Sequence, residues 1–401
     1  MYTKINNVLL VVFVVLGFLE LIITSKRPSP KAILLIGWPI LIFFGLATLA
    51  SFRTIELQSF KFLENHWSLL FIPIVMLSEP KGFSKNRRNI FLALLLGSLS
   101  TLLICYGHLI WQIITEQRAF NYLVSTVGHN FTAIADTHPT YLGLFVITAM
   151  FFLIQDRTFP VTAKYVILVF FSIGLVQLAS EMALLIFCLV FSYMVVHNMM
   201  RQRNQLIILI LGIALCIFVF WSFGGKYMSS QMFTVDSILD EKRIERWEVS
   251  YQIFKEHPFF GVGFEKIEHA RQIKYQEGEF SLAAQNDLNA HNQFLEYLSV
   301  NGAIGGFVYA IAFAFLFFLS VNRRDHLFTF LFFSFILANL TESMMVRIKG
   351  IEYYAIFASL FLCSFETFND VFLNEKAREK SGKQNNISRM VIVKNDVLKN
   401  G

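Results

Sequence analysis

The chain has 401 residues, a formal net charge of +6 and a mean hydropathy of +0.56. Only 15% of the residues are charged and 55% are hydrophobic, whereas a soluble domain carries about 25% charged residues. The basic residues form short clusters between apolar runs, so the positive charge does not support nucleic-acid binding. This composition excludes an ordinary soluble domain and indicates an all-α polytopic membrane protein.

The apolar runs predict about eleven transmembrane helices, within a range of roughly ten to twelve. The predicted spans are 8–24, 32–50, 63–79, 90–112, 140–154, 165–179, 182–198, 206–223, 303–320, 327–341 and 351–365. Residues 1–365 therefore make one integral-membrane domain. The polar segment 366–401 is expected to be a flexible cytoplasmic tail.

The distribution of Lys and Arg predicts the orientation of these spans. Five short loops on one side carry thirteen basic residues and the tail adds seven, whereas the short loops on the other side carry five. Because cytoplasmic loops are enriched in Lys and Arg, the first side is predicted to be cytoplasmic. Residues 224–302 then form one large external loop, which we expect to contain amphipathic helices.

A helical pattern covers residues 237–257 of this loop. Apolar residues recur at helical spacing and form one stripe, made of Ile244, Trp247, Tyr251 and Phe254. We expect this stripe to lie either on the bilayer surface or on the transmembrane bundle.

Two arginines of the same pattern are candidate phosphate ligands. Arg243 lies one turn before Trp247, and Arg246 follows it. A guanidinium presents a planar fork of donors that suits phosphate oxygens, although arginines at an interface also extend simply to reach water. Gly261 and Gly263 come next and permit a tight turn with close backbone approach.

Two histidines stand directly before predicted helices on the external side. His291 precedes a pattern that contains Leu295 and Leu298, and its neighbour Asn292 can orient the imidazole or bind a sugar. A helix N-terminus favours the neutral imidazole, which a general base needs to be. A capping or surface histidine is the alternative.

The second histidine belongs to the segment His138-Pro-Thr-Tyr141. His138 and Tyr141 can line a polar entrance at the membrane surface. The interfacial turn, in which Pro139 opens the helix and Tyr141 joins the aromatic belt, is the favoured alternative.

Several motifs are missing from the sequence. It contains no GxxxxGK[ST] phosphate loop, no Asp-x-Asp, no HExxH and no CxxC. We therefore predict no metal, no cofactor and no nucleotide hydrolysis in this chain.

The order of these motifs resembles the O-antigen ligase and polymerase superfamily. The resemblance rests on Arg-x-x-x-Trp at 243–247, Gly-Val-Gly at 261–263 and the pattern from His291-Asn292 to Gly305, together with pieces at 138–141, 340–343 and 350–351. It covers about residues 60–365.

The resemblance implies a metal-independent glycosyltransferase of the bacterial inner membrane with its active site facing the periplasm. Its donor would be a glycan linked to undecaprenyl diphosphate. Its acceptor would be the lipid A core in a ligase or a growing glycan in a polymerase, and the sequence leaves both open. Arg243 and His291 would be catalytic, and substrate binding would fall to Arg246, Trp247, Gly261, Gly263, Asn292, His138 and Tyr141.

One position departs from the pattern. Many members of the superfamily have Ser-Arg where this chain has Ser180-Glu181, and a carboxylate repels a diphosphate. Phosphate binding would then rest on the large loop, or Arg347 or Lys349 would substitute. A transporter of lipid-linked sugars and a non-catalytic assembly subunit stay open as less favoured alternatives.

Overall fold

The computed structural model describes residues 2–24, 30–52, 63–180, 182–189, 241–278, 280 and 289–365. All regular secondary structure in these ranges is helical, which confirms the all-α prediction. The labelled helices are α1 (Tyr2–Ile23), α2 (Pro30–Phe52), α3 (Ser68–Ser78), α4 (Pro80–Lys85), α5 (Arg87–Thr115), α6 (Tyr122–Ser125), α7 (His129–Thr132), α8 (Pro139–Gln155), α9 (Val161–Leu178), α10 (Glu241–Glu256), α11 (Phe264–Glu277), α12 (Gln293–Asn322), α13 (His326–Thr341) and α14 (Ile348–Cys363). Short 3₁₀ turns at Ala133–Ala135 and Met344–Val346 precede α8 and α14.

Among the described residues, five helices are long and apolar enough to cross a bilayer. They lie in α1, α2, α5, α9 and α12, and a sixth span results if α8 and the bent segment before it count as one. The described residues alone do not confirm the predicted total of eleven. Predicted spans 63–79, 327–341 and 351–365 correspond to the shorter helices α3, α13 and α14. Span 206–223, most of span 182–198 and the tail 366–401 lie outside the described residues.

Aromatic rings join the helices at the centre of the bundle. The ring of Phe43 on α2 contacts Tyr297 and Tyr309 on α12 and Tyr354 on α14, at centroid distances of 5.5, 6.3 and 5.5 Å. Each such pair contributes about 0.5–1.5 kcal/mol beyond the area it buries. These contacts fix α2, α12 and α14 relative to one another.

One end of the bundle collects the basic loops. Arg87 forms a bidentate ion pair with Asp325, with nitrogen–oxygen distances of 2.6 and 2.8 Å, and Arg88 pairs with Asp156 at 2.9 Å. These contacts join the first turn of α5 to the loops after α8 and after α12. Three loops that the Lys and Arg distribution assigns to one side therefore meet in the structure.

Helix α12 is broken at Gly302, where φ is +68° and ψ is −161°. The turn 258–263 fits into the break. The carbonyls of Ser299 and Val300 accept hydrogen bonds from Val262 and Gly263, at 3.0 and 2.9 Å. The amide of Ala303 donates to Pro258 O at 2.7 Å, and Ile304 donates to Phe259 O at 3.5 Å. The turn thus satisfies backbone groups that the break leaves without helical partners.

The loop helices α10 and α11 pack on this joint, by which we mean the turn 258–263 and the break in α12 that it fits. Their buried apolar residues form one cluster with α2 and α12, which comprises Ala47, Ala50, Val249, Ile253, Phe264, Ile267, Tyr275 and Val300. The stripe Ile244, Trp247 and Tyr251 lies outside this cluster and is exposed. A different face of α10 therefore packs on the bundle. Of the two expected locations for the stripe, the bundle is not the one observed for Ile244, Trp247 and Tyr251, and the bilayer surface stays a prediction. The helix itself is confirmed over residues 241–256.

Candidate functional site

A cluster of polar residues lies at the end of the bundle opposite the basic loops. The sequence places its members before α8, before α12 and between α13 and α14. The cluster contains His129, His138, His291, Glu342 and Arg347, which are linked by ring contacts, a hydrogen bond and electrostatic interactions. Two histidines that stand far apart in the sequence are thus brought to one place.

His291 is held in place by the residues on either side of it. The backbone N–H of His291 donates to Asn289 Oδ1 at 3.1 Å, and its φ is +44°, in the left-handed region. Asn292 caps α12, because its Oδ1 accepts hydrogen bonds from the amides of Phe294 and Leu295 at 3.0 and 3.1 Å. Asn292 Nδ2 also donates to Leu340 O at 3.2 Å, which ties the cap to the end of α13.

Glu342 faces the imidazole of His291. Its Oε2 lies 3.3 Å from His291 Nδ1, and both side chains are largely buried. Burial raises the pKa of Glu342, but the hydrogen bond from His291 and the charges of His291, His138 and Arg347 outweigh it, so the net pKa is below its ordinary value. An ionised Glu342 accepts a hydrogen bond from the Nδ1–H of His291, which leaves Nε2 as the basic nitrogen.

His138 is the N-cap residue of α8. Its side chain accepts a hydrogen bond from a backbone N–H of the first turn, which has no partner within the helix. Its Nδ1 accepts a hydrogen bond from Thr140 N at 3.3 Å, and its ring meets His129 edge to face at 4.3 Å between centroids. Burial lowers the pKa of His138 to about 4. His138 is therefore neutral at physiological pH and carries its proton on Nε2, from which it can donate a hydrogen bond into the cluster.

The two cations proposed as substitutes at position 181 occupy different surroundings. Arg347 is exposed and interacts electrostatically with Glu342 and His138. Lys349 donates to the carbonyl of Asp136 at 3.4 Å. Arg347 thus adds a guanidinium to the cluster, whereas Lys349 ties two backbone segments together. Ser180 lies next to this region, with its Oγ 3.3 Å from Thr140 Oγ1, while Glu181 is outside the described residues.

A buried ion pair supports the segment that carries His291. Arg271 on α11 donates to Glu296 on α12 at 2.6 Å, and both side chains are at least nine-tenths buried. The same Glu296 oxygen accepts a hydrogen bond from Ala290 N at 3.4 Å. Removing one partner of such a pair leaves an uncompensated charge and costs about 3–5 kcal/mol. The large loop therefore fixes the residue directly before His291.

The other predicted site residues have varied surroundings. Arg246 is buried with 8% exposure and acts electrostatically on the buried Tyr275, whereas Trp247 is 36% exposed. Tyr141 is buried, with its ring 5.8 Å from that of His138. Arg243 lies in α10, and its side chain is outside what the structure describes. The roles of these residues in substrate binding stay predictions.

Gly261 and Gly263 have a clear structural use. Both have positive φ angles, +64° and +84°. A Cβ on Gly261 would lie 2.4 Å from the backbone of Val300, so a larger residue cannot fit. The glycines admit the close approach that the sequence predicted, and the partner in the structure is the broken helix α12.

Glu342 was not predicted as a site residue, and Arg347 only as a substitute. The available signal was their position, since charged residues directly beyond an apolar run mark the membrane surface. Within the described part of the chain, no group of three or more His, Cys, Asp or Glu side chains is arranged to hold a metal ion.

Comparison with known protein families adds a second line of evidence. Residues 165–310 match the family described as O-antigen ligase. The match confirms the resemblance to the O-antigen ligase and polymerase superfamily, and it spans Arg243, the Gly-Val-Gly turn and His291. A search of curated proteins finds no match. The apolar helices and this match together support a multi-pass membrane protein, and the matched family supports an enzyme of ligase or polymerase type in general.

Proposed function

We propose that this protein is an O-antigen ligase-like glycosyltransferase. It moves a glycan from undecaprenyl diphosphate to a hydroxyl of the lipid A core, at the periplasmic face of the inner membrane. The observation that carries this proposal is the His291–Glu342 contact at the end of the bundle opposite the basic loops, within a chain that has an O-antigen ligase region.

His291 acts as the general base in this proposal. Glu342 accepts a hydrogen bond from the Nδ1–H of His291, so Nε2 can take the proton of the acceptor hydroxyl as its oxygen attacks the anomeric carbon. A new carbon–oxygen bond forms as the bond from the anomeric carbon to the diphosphate breaks. The proton ends on His291, and the electron pair of the broken bond leaves with undecaprenyl diphosphate. General-base catalysis of this kind contributes about 10²–10⁴-fold to the rate.

Arginines stabilise the charge that develops on the leaving diphosphate. Arg347 is near the reacting end because it interacts with Glu342 and His138. Arg243 and Arg246 belong to the loop helix α10, where Arg246 is buried and Arg243 remains the predicted donor to phosphate. A preorganised guanidinium near a developing negative charge lowers the barrier without nucleotide hydrolysis.

A polymerase is the second candidate, because the family match supports both activities. A polymerase uses the same donor but transfers it to another glycan that is still on its lipid carrier. The proton transfer at His291 and the departure of the diphosphate would be the same. Only the acceptor differs.

The test is glycan attachment in a deletion strain that expresses the wild type, His291→Ala or Arg243→Ala. His269→Ala is the matched control, because His269 is an exposed histidine on the neighbouring loop helix α11. Lipopolysaccharide and the lipid-linked pool are separated on gels, and protein levels are checked by blotting.

We expect the two site variants to lose the attached glycan at normal protein levels, whereas His269→Ala retains it. Long glycan left on the lipid carrier identifies a ligase. Lipopolysaccharide capped by single repeats identifies a polymerase. Normal attachment in His291→Ala would contradict the proposal and favour a non-catalytic assembly subunit.

A further inference from the structure

The loop helix α10 has three distinct faces. Its packing face consists of Arg246, Val249, Ser250 and Ile253, which are all buried. Its polar face consists of Glu245, Glu248, Gln252, Lys255 and Glu256. The third face is apolar and exposed, with Ile244 at 51%, Trp247 at 36% and Tyr251 at 48%. A helix with adjoining apolar and polar faces, both outside the protein core, has the pattern of a helix that lies in a membrane interface.

The turn after α10 adds two more exposed aromatic residues. Phe259 is 72% exposed and Phe260 is 54% exposed. Scattered single apolar residues on a surface need no explanation, but a contiguous group of large ones marks an interaction site. Here five of them follow one another along a single helix and the turn that ends it.

The position of the turn indicates what covers this surface. Phe259 O accepts a hydrogen bond from Ile304 N, directly after the break in α12. From Ile304 onward, α12 is apolar enough to cross a bilayer and presents an exposed stripe at helical spacing, made of Ile304, Phe307, Ile311, Phe315 and Phe318. The exposed face of the loop is therefore continuous with the lipid-facing side of a membrane helix.

We propose that α10 and the turn 258–263 dock into the bilayer leaflet on the side of the candidate site. Phe259 and Phe260 enter the edge of the acyl-chain region beside Ile304, and Trp247 and Tyr251 lie among the headgroups. Aromatic side chains with a polar edge favour this depth. The polar face of α10 remains in water.

This docking has a consequence that rests on the proposed function. Arg243 precedes Trp247 by one helical turn, so a docked α10 holds its backbone at the depth of lipid phosphates. A lipid-linked diphosphate lies at the same depth. Trp247 then anchors the helix in the membrane and does not bind the glycan.

Labelling of one introduced cysteine at a time in proteoliposomes tests the docking without any assay of catalysis. Phe259→Cys and Trp247→Cys are compared with Glu248→Cys and Glu256→Cys on the polar face of the same helix. Cys188 and Cys216 are replaced by Ala in every variant, while the buried Cys105 and Cys363 are retained. A water-soluble maleimide is delivered to both faces by freeze–thaw, into vesicles of phosphatidylethanolamine and phosphatidylglycerol.

We expect Phe259→Cys and Trp247→Cys to react at least tenfold more slowly than the two control variants, and equally fast after denaturation in SDS. A fluorophore at position 259 should be quenched by lipids with brominated acyl chains, whereas one at position 248 should not.

Equal labelling rates in the vesicles would overturn the docking. Slow labelling only when a lipid-linked glycan is added would also overturn it, since the aromatic face would then bind sugar. Loss of activity in His291→Ala has no bearing on these outcomes, so this proposal and the proposed function fail separately.

Discussion

The two ends of the bundle treat charge in different ways. At the basic end, Asp325 and Asp156 each pair with one arginine, Arg87 and Arg88 respectively. At the opposite end, Glu342 interacts with His291, His138 and Arg347 together. In a one-to-one ion pair each charge is balanced by its partner, so the pair can stabilise the fold and has no charge left for a ligand. A carboxylate shared by two imidazoles and a guanidinium leaves donors and a basic nitrogen available for a substrate.

The backbone differs between the two ends as well. Asp325 at the basic end caps α13 in the ordinary way, accepting from Phe328 N at 3.3 Å. The site end depends on a helix broken at Gly302 and on a turn inserted into the break. Strained or irregular backbone persists only where the surrounding structure determines it. Among the described residues the site end is the more irregular of the two, although Arg324 beside Asp325 also has a positive φ, and this difference supports the proposed catalytic role of His291.

The largest effect should come from filling the space between the turn 258–263 and the break in α12. In Gly261→Ala, the new Cβ would lie 2.4 Å from the backbone of Val300, at a φ that L-residues rarely adopt. We expect loss of more than about 3 kcal/mol and little folded protein in the membrane. Gly97→Ala is the control, because Gly97 lies in α5 with nothing within 4 Å of an added Cβ. Fluorescence-detected size exclusion of both variants measures the folded fraction, and equal peaks would show that the joint is dispensable.

A smaller effect should follow from neutralising Glu342. Glu342→Gln keeps the shape of the side chain but removes its negative charge. The amide oxygen is a weaker acceptor than the carboxylate for the Nδ1–H of His291. We expect a loss of about tenfold or more in kcat with little change in KM, measured with purified protein and a lipid-linked donor. Glu342→Asp should recover part of the rate. A variant with unchanged kcat would place Glu342 among structural residues and make the two ends alike.

The sequence was most informative about features that repeat along the chain. Hydropathy predicted the all-α membrane class, and the spacing of Ile244, Trp247 and Tyr251 predicted α10. It could not show which face of α10 packs on the bundle, because packing also uses Val249 and Ile253 on a second apolar face. Both faces follow the same helical period, so only tertiary contacts distinguish them.

The candidate site was less accessible from sequence for a related reason. His138, His291 and Glu342 come from three separate segments, and their proximity depends on how α8, α12 and α13 pack. The motif at 261–263 was visible as a pair of glycines, but its partner is the break in α12, which no local pattern reveals. Long-range contacts of this kind have no periodicity in the sequence.

Arg347 offers a further test of the difference between the two ends. It interacts with both Glu342 and His138, whereas Arg87 and Arg88 at the basic end each pair with one carboxylate. We expect Arg347→Ala to raise the KM for the lipid-linked donor about tenfold, with Arg347→Lys intermediate because an ammonium lacks the guanidinium fork. Arg88→Ala at the opposite end is the matched control, since an exposed ion pair contributes only about 0–1 kcal/mol. A donor KM that changes equally in both variants would mean that net charge, and not the position of the arginine, governs donor binding.

The smallest effect concerns stability in acid, and it depends on His138. The folded protein keeps this histidine neutral with a pKa of about 4, whereas an unfolded chain takes up the proton near pH 6.5. Between these values the unfolded state binds more protons, so acidification favours unfolding and the stabilisation is fully present only above about pH 6.5.

We expect the thermal midpoint in detergent to fall between pH 7 and pH 5, and to fall less in His138→Gln. The difference corresponds to about 1–2 kcal/mol once solvent screening of a half-buried group is allowed for. An Arg88→Ala variant should follow the wild-type pH curve, because the ion pair that it removes contains no histidine. A His138→Gln curve identical to that of the wild type would show that His138 does not cause the loss of stability in acid.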